Sequence, residues 1–178
     1  LKSNSRFDFV PGEEILFTED FGQEAIGELP TGWNTTGNGE IVTLNNYPGK
    51  WIRLYQNTAY LTSNEKDFGE NFTVEFDVIM QLKWRDHFYP YFSFALCASN
   101  GESTTSNEFL RAIKKHSAIE TIIYPAEKNH TKISTGSYLN GRYYFNSDSK
   151  NFGHLEQFYG KPVHVAMQVQ KERFRMWI

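Results

Sequence analysis

Residues 71–80, NFTVEFDVIM, alternate: Phe72, Val74, Phe76, Val78 and Met80 fall on one side of an extended chain, and Thr73, Glu75, Asp77 and Ile79 on the other. A two-residue period sustained this long predicts a strand with one buried face. It also sets two carboxylates, Glu75 and Asp77, side by side on the opposite face. Further strands are predicted at 15–21, 40–44, 51–54 and 59–62, with a turn over 45–49 (NNYPG) joining the second to the third. The segment 91–98, YFSFALCA, alternates and then becomes continuously apolar, as an interior sandwich strand can.

Beyond a polar loop, GESTTSNE, strands are expected at 109–113 and 119–124, separated by a basic turn with Lys114, Lys115 and His116. Residues 128–160 are rich in Asn, Ser, Gly and Tyr, and admit one irregular strand around 142–145 and a helical turn near 155–158. Residues 163–169 and 174–178 form a hairpin across 170–173. No sustained 3.6-residue period and no fixed repeat is present. About ten short strands punctuated by Gly, Pro and Asn describe an all-β fold, a two-sheet antiparallel β-sandwich of the jelly-roll type. Residues 1–14, broken by Pro11-Gly12, read as a lead-in or linker, and 15–178 as a single sandwich domain.

Composition narrows the function classes. A chain of 178 residues supports one sizeable core, and 15 Phe, 10 Tyr and 4 Trp suit strands, where flat rings pack on a pleated surface. The net charge is −3 and no dense block of Lys or Arg occurs, so nucleic acid is not an expected partner. The single cysteine, Cys97, permits no intramolecular disulfide and reads as a buried thiol. No run of about 18 apolar residues exists to span a bilayer as a helix. The chain starts at Leu1 without a start methionine or an apolar signal core, and it stops inside an alternating pattern at Trp177 and Ile178. Both ends are therefore expected to be those of an excised or mature piece, truncated at the C-terminus.

Glu75 and Asp77 match the beginning of the Glu-x-Asp-x-x-Glu pattern of retaining glucanases, whose nucleophile and acid must flank a sugar bond. Met80 stands where the proton donor would be, so no catalytic residue is assigned. The loop WRDHFYPY supplies Trp84, Asp86, His87, Tyr89 and Tyr91, and the segment 141–152 supplies Tyr143 and Tyr144. Sugars stack their apolar faces on aromatic rings while acids, amides and histidines hold their hydroxyls, so both segments and the Glu75–Asp77 face are candidate ligand-binding surfaces. The bland alternative is that these rings cover the core at the sandwich edge. The five histidines, His87, His116, His130, His154 and His164, lack metal-ligand spacing and no CxxC occurs, so no metal site is assigned. Calcium is the one cofactor kept open, held by loop oxygens near Asp20, Asn34 or Asp148, although no EF-hand loop is present. Phosphate loops and a GxSxG elbow are absent. Three sequons, at Asn34, Asn71 and Asn129, matter only in a eukaryotic secreted protein.

Two stretches carry a family resemblance. SRFDFVPGEEILFTEDF, followed by AIGELPTGW and NGEIVTLNNYPGKWIRL, resembles the region preceding the C-terminal domain in Gram-negative envelope proteins of the OmpA family. KPVHVAMQVQKERFRMWI resembles the penultimate hairpin of concanavalin A-like and laminin G-like sandwiches. The resemblance implies a jelly roll, a bacterial cell-envelope location (outer membrane-associated, periplasmic or surface), and a downstream OmpA-like domain; it carries no functional residue onto this chain. The resulting expectation is a non-catalytic module binding glycan or a surface protein. The alternatives are a glycoside hydrolase or lyase using Glu120 or Glu108 opposite Glu75 or Asp77, and an architectural spacer.

Overall fold

The computed structural model describes residues 9–62, 64, 66–81, 90–112, 115–126, 130–147 and 149–178. Its strands are β1 (Asn34–Thr35), β2 (Gly39–Leu44), β3 (Tyr47–Leu54), β4 (Tyr60–Leu61), β5 (Asn71–Ile79), β6 (Phe92–Ala98), β7 (Ser117–Tyr124), β8 (Lys132–Leu139), β9 (Arg142–Asn146), β10 (Lys150–Asn151), β11 (Pro162–Gln170) and β12 (Arg173–Trp177). One short helix, α1 (Asn107–Arg111), and a 3₁₀ segment, Gly153–Phe158, complete the described elements. The strands form antiparallel sheets with no closed barrel among the described residues, the architecture class of an all-β sandwich. They fall into two compact units, the described residues within Leu1–Thr18, Lys66–Lys83 and Gln157–Ile178 making the first, and those within Glu19–Glu65 and Trp84–Glu156 the second.

The first unit is the sheet β12-β11-β5. β5 pairs with β11 along its whole length, which opposes Phe72 to Val169, Val74 to Met167, Phe76 to Val165 and Val78 to Val163. On that apolar face Val163, Val165 and Met167 of β11 are buried, Val165 completely, and Phe72, Val74, Phe76 and Val78 of β5 are half-buried. The other face carries Thr73, Glu75 and Asp77 opposite Gln168, Ala166 and His164. The lead-in lies on this side: Gly12 N–H donates to Thr73 Oγ1 at 3.2 Å, and Phe9 meets Trp177, the partner of Ala166 on β12, edge-on at 5.2 Å.

In the second unit β7 lies between β6 and β8, and β9 and β10 pair with the far side of β8. One face packs Ile123 against Ile133 and joins Thr121 to Thr135 by a hydroxyl contact of 3.0 Å. Separately, β2 and β3 form a hairpin around the fully buried Ile41, whose N–H donates to Glu28 O and whose carbonyl accepts from Gly27 N–H, both at 2.8 Å.

Four expectations need correction. Residues 15–21 form no strand: the chain turns at Phe21, whose φ of 58° leaves the extended region, and Ile15 is exposed. Of the strand expected at 109–113, residue 113 lies outside the described residues and 109–112 form no strand, because Ser106 caps α1 by accepting from Glu108 N–H, with Glu108 in the first turn and Arg111 in the last to suit the helix dipole. The adjacent apolar pair Phe109 and Leu110, both buried, suits a strand as well as a helix, because so short an apolar run does not distinguish the two states. The turn expected over 45–49 is confined to Asn45–Asn46, and Pro48 and Gly49 enter β3, where a β-bulge at Thr43/Leu44 absorbs the irregularity. β8, KISTGSYL, was not expected as a strand because its Ser, Thr and Gly positions mute the alternation.

Ile123 is 1% exposed, so Ile123→Ala should lower stability by about 2–5 kcal/mol. Ile122, its half-buried neighbour on the opposite face, should cost clearly less on the same change, and equal losses in urea denaturation would contradict this assignment of faces.

Candidate functional site

Alternation along β7 puts Glu120, Ile122 and Tyr124 on the face opposite Thr121 and Ile123. Glu120 pairs with Ala95 on β6 and Gly136 on β8, the two smallest side chains available, so the sheet surface is low on both sides of the carboxylate. The result is a groove of about 240 Å³ whose lining includes Glu120, Tyr124, Ser134, Tyr138, Tyr143 and Asn146. Ser134 Oγ donates to Asn146 Oδ1 at 3.0 Å, tying β8 to the end of β9. Cys97, beside Ala118 on this face, has its thiol pushed up by burial, which keeps it protonated and unreactive near neutral pH.

Aromatic rings stand at both ends of the groove. Tyr138 and Tyr143 meet in a T-shaped contact at 5.6 Å, and Tyr124 lies 6.2 Å from Tyr91. Tyr91, Tyr124 and Tyr143 are all exposed. Tyrosine combines an apolar face with a hydroxyl, which suits a ligand that is apolar on its faces and polar at its rim. A larger hollow of about 760 Å³, at Gly69, Glu70 and the turn after β11, has no aromatic lining and is the poorer match to such a ligand.

In the first unit, the Glu75–Asp77 pair is bridged by a residue the sequence reading had not joined to it. His164 Nδ1 lies 2.9 Å from Asp77 Oδ1 and its Nε2 lies 3.1 Å from Glu75 Oε2. Only the imidazolium can donate from both nitrogens, so the Asp77 hydrogen bond, helped by Glu75, raises the His164 pKa above its ordinary 6.5 against a smaller opposing effect of burial. The cluster is a proton-dependent clasp between β5 and β11. No signal in either strand alone reveals it, since the partners are separated by 87 and 89 residues.

Of the residues singled out from sequence, Trp84, Asp86, His87 and Tyr89 lie outside the described residues. Tyr91 and Tyr143 come from separate segments, and both join the tyrosine pairs of the groove. Tyr144 is 78% exposed, next to Tyr143, and is not among the groove's lining residues. Glu75 and Asp77 belong to the other unit. Tyr124, Tyr138, Ser134 and Asn146 were not singled out, although the alternation of 119–124 already places Tyr124 with Glu120. Among the described residues no group of three or more His, Cys, Asp or Glu side chains is arranged to hold a metal ion. Asp20 Oδ1 accepts from Gly22 N–H and Asn34 Oδ1 from Thr35 N–H, while Asp148 lies outside the described residues.

The fold and these sites define an all-β protein of antiparallel sheets with a tyrosine-rimmed groove on one of them. Comparison with protein-family models, with curated proteins and with solved structures gave no match.

Because His164 has a raised pKa in the folded chain, its clasp contributes fully below the ordinary histidine range and is lost as pH rises through the raised value. NMR titration should place His164 above pH 6.5, with Asp77→Asn lowering it more than Glu75→Gln. The stability gap between wild type and His164→Gln should shrink as pH rises; a gap that widens would refute the clasp.

Proposed function

We propose that this chain is a non-catalytic carbohydrate-binding module, with the groove over β7 and β8 as its ligand site. The observation that carries the reading is the placement of Glu120 between Ala95 and Gly136, with Tyr124, Tyr138 and Tyr143 lining the same groove. A sugar needs two things from a protein, a ring face to lie on and acceptors or donors for its hydroxyls, and this groove offers both. Glu120, 9% exposed at the groove floor, offers carboxylate oxygens that accept hydrogen bonds, and Ser134 and Asn146 add neutral polar groups. The resemblance of the first third to OmpA-family envelope proteins supports a bacterial envelope setting, where glycans and surface proteins are the available partners.

Hydrolysis has weaker support. A retaining mechanism needs one carboxyl as proton donor and another as nucleophile, whereas Glu75 and Asp77 both accept from one imidazole, and Met80, at the position of the third acid, is 4% exposed.

Gly136 provides a clean block. A Cβ built there meets only Phe145 O at 3.6 Å and Tyr143 Cε2 at 3.7 Å, which are ordinary contacts, so the strand accepts a Cβ and any branches beyond it enter the groove floor. On a glycan array the wild type should bind a defined set of sugars. Tyr143→Ala should weaken that binding by about 1 kcal/mol, and Gly136→Val should abolish it with the fold retained. Undiminished binding by Gly136→Val would remove the groove from consideration.

A further inference from the structure

Resting on the carbohydrate reading of the same groove, we infer that its ligand is a linear oligosaccharide held at two aromatic stations, and not a single sugar. The ladder between β7 and β8 sets their separation. Tyr124 stands opposite Lys132 at one end, and Tyr138 stands opposite Ala118 at the other. The two tyrosines are thus six ladder positions apart, and at about 3.3 Å per residue this is on the order of 20 Å. One pyranose ring cannot touch both.

Each station is a pair of rings. Tyr91, 67% exposed, extends the Tyr124 end, and Tyr143, 58% exposed, extends the Tyr138 end. Between them lie Ile122 and Ser134, paired in register, and then Glu120 beside Gly136. The polar groups therefore sit in the interval between the ring stations, where a chain that stacks at both ends must pass its hydroxyls. A lone sugar would use one station and leave the other idle, whereas a chain long enough to reach both gains the second contact as an intramolecular event.

Titration calorimetry on the full chain, with cello-, chito- and malto-oligosaccharides from mono- to hexasaccharide, tests this. In the series that binds, affinity should rise roughly tenfold or more between disaccharide and hexasaccharide. Tyr124→Ala and Tyr143→Ala should each bring the hexasaccharide back toward the short-chain affinity, with only small changes in melting temperature because both side chains are exposed and lose one ring contact each. A monosaccharide that binds as tightly as the hexasaccharide would overturn the two-station inference and leave the carbohydrate reading standing. Absence of binding across every series, with glycan-array binding also absent, would overturn both.

Discussion

Register in the β7–β8 ladder is the constraint on which the groove depends. Side chains alternate strictly along a strand, so a slip of one residue would turn Glu120, Ile122 and Tyr124 inward and expose Thr121 and Ile123. One buried pair and one part-buried pair resist that slip. Ile123 packs against Ile133, 1% and 5% exposed, and the Thr121 hydroxyl, buried on the same face, finds its partner in Thr135 at 3.0 Å. A hydroxyl buried without a partner costs about 1–3 kcal/mol, so the Thr pair rejects a shifted register as well as stabilising the correct one. The face that carries the groove is thus specified by the face that packs.

The same logic operates in the first unit, where four apolar pairs between β5 and β11 bring Asp77 opposite His164 and Glu75 opposite Ala166. There the outer face gains an ionic clasp instead of a groove. Exposed ion pairs of this kind are each worth about 1 kcal/mol or less, so the apolar ladder, not the clasp, holds the strands together. The clasp engages both carboxylates through one imidazole, so the acidic pair on β5 shares its face with a titrating histidine.

Much of this was legible in the sequence. The alternation of 71–80 marks a strand whose two faces the structure reproduces, 119–124 and 163–169 are strands as expected, and the sandwich class follows from the number and brevity of the strands. What was not legible is long-range: nothing in Pro162-Val163-His164-Val165 announces that it lies beside Glu75 and Asp77. Local ambiguity accounts for the rest. Phe109 and Leu110 are too short a run to separate helix from strand, and the Ser, Thr and Gly of β8 hide a strand that is central to the groove, with the missing side chain of Gly136 making the space that matters.

The β9 edge shows why the site could be glimpsed from sequence but not assembled. Tyr143, Tyr144 and Phe145 are each more than half exposed, a liability on an edge strand that proteins ordinarily avoid. Simple alternation would set Tyr143 and Phe145 on one face and Tyr144 with Asn146 on the other. Instead the pairing shifts between Ser137 and Tyr138, so that Phe145 opposes Ser137, Tyr143 opposes Tyr138, and Tyr144 becomes the extra residue of a bulge. Tyr143 and Asn146 therefore line the same groove although they are three residues apart. A bulge re-aims side chains at the expense of local pairing, and here it turns one exposed ring toward Tyr138 to complete a station. A strand built only to close a sheet would gain nothing from that arrangement, whereas a surface that stacks sugars gains the second ring of a pair.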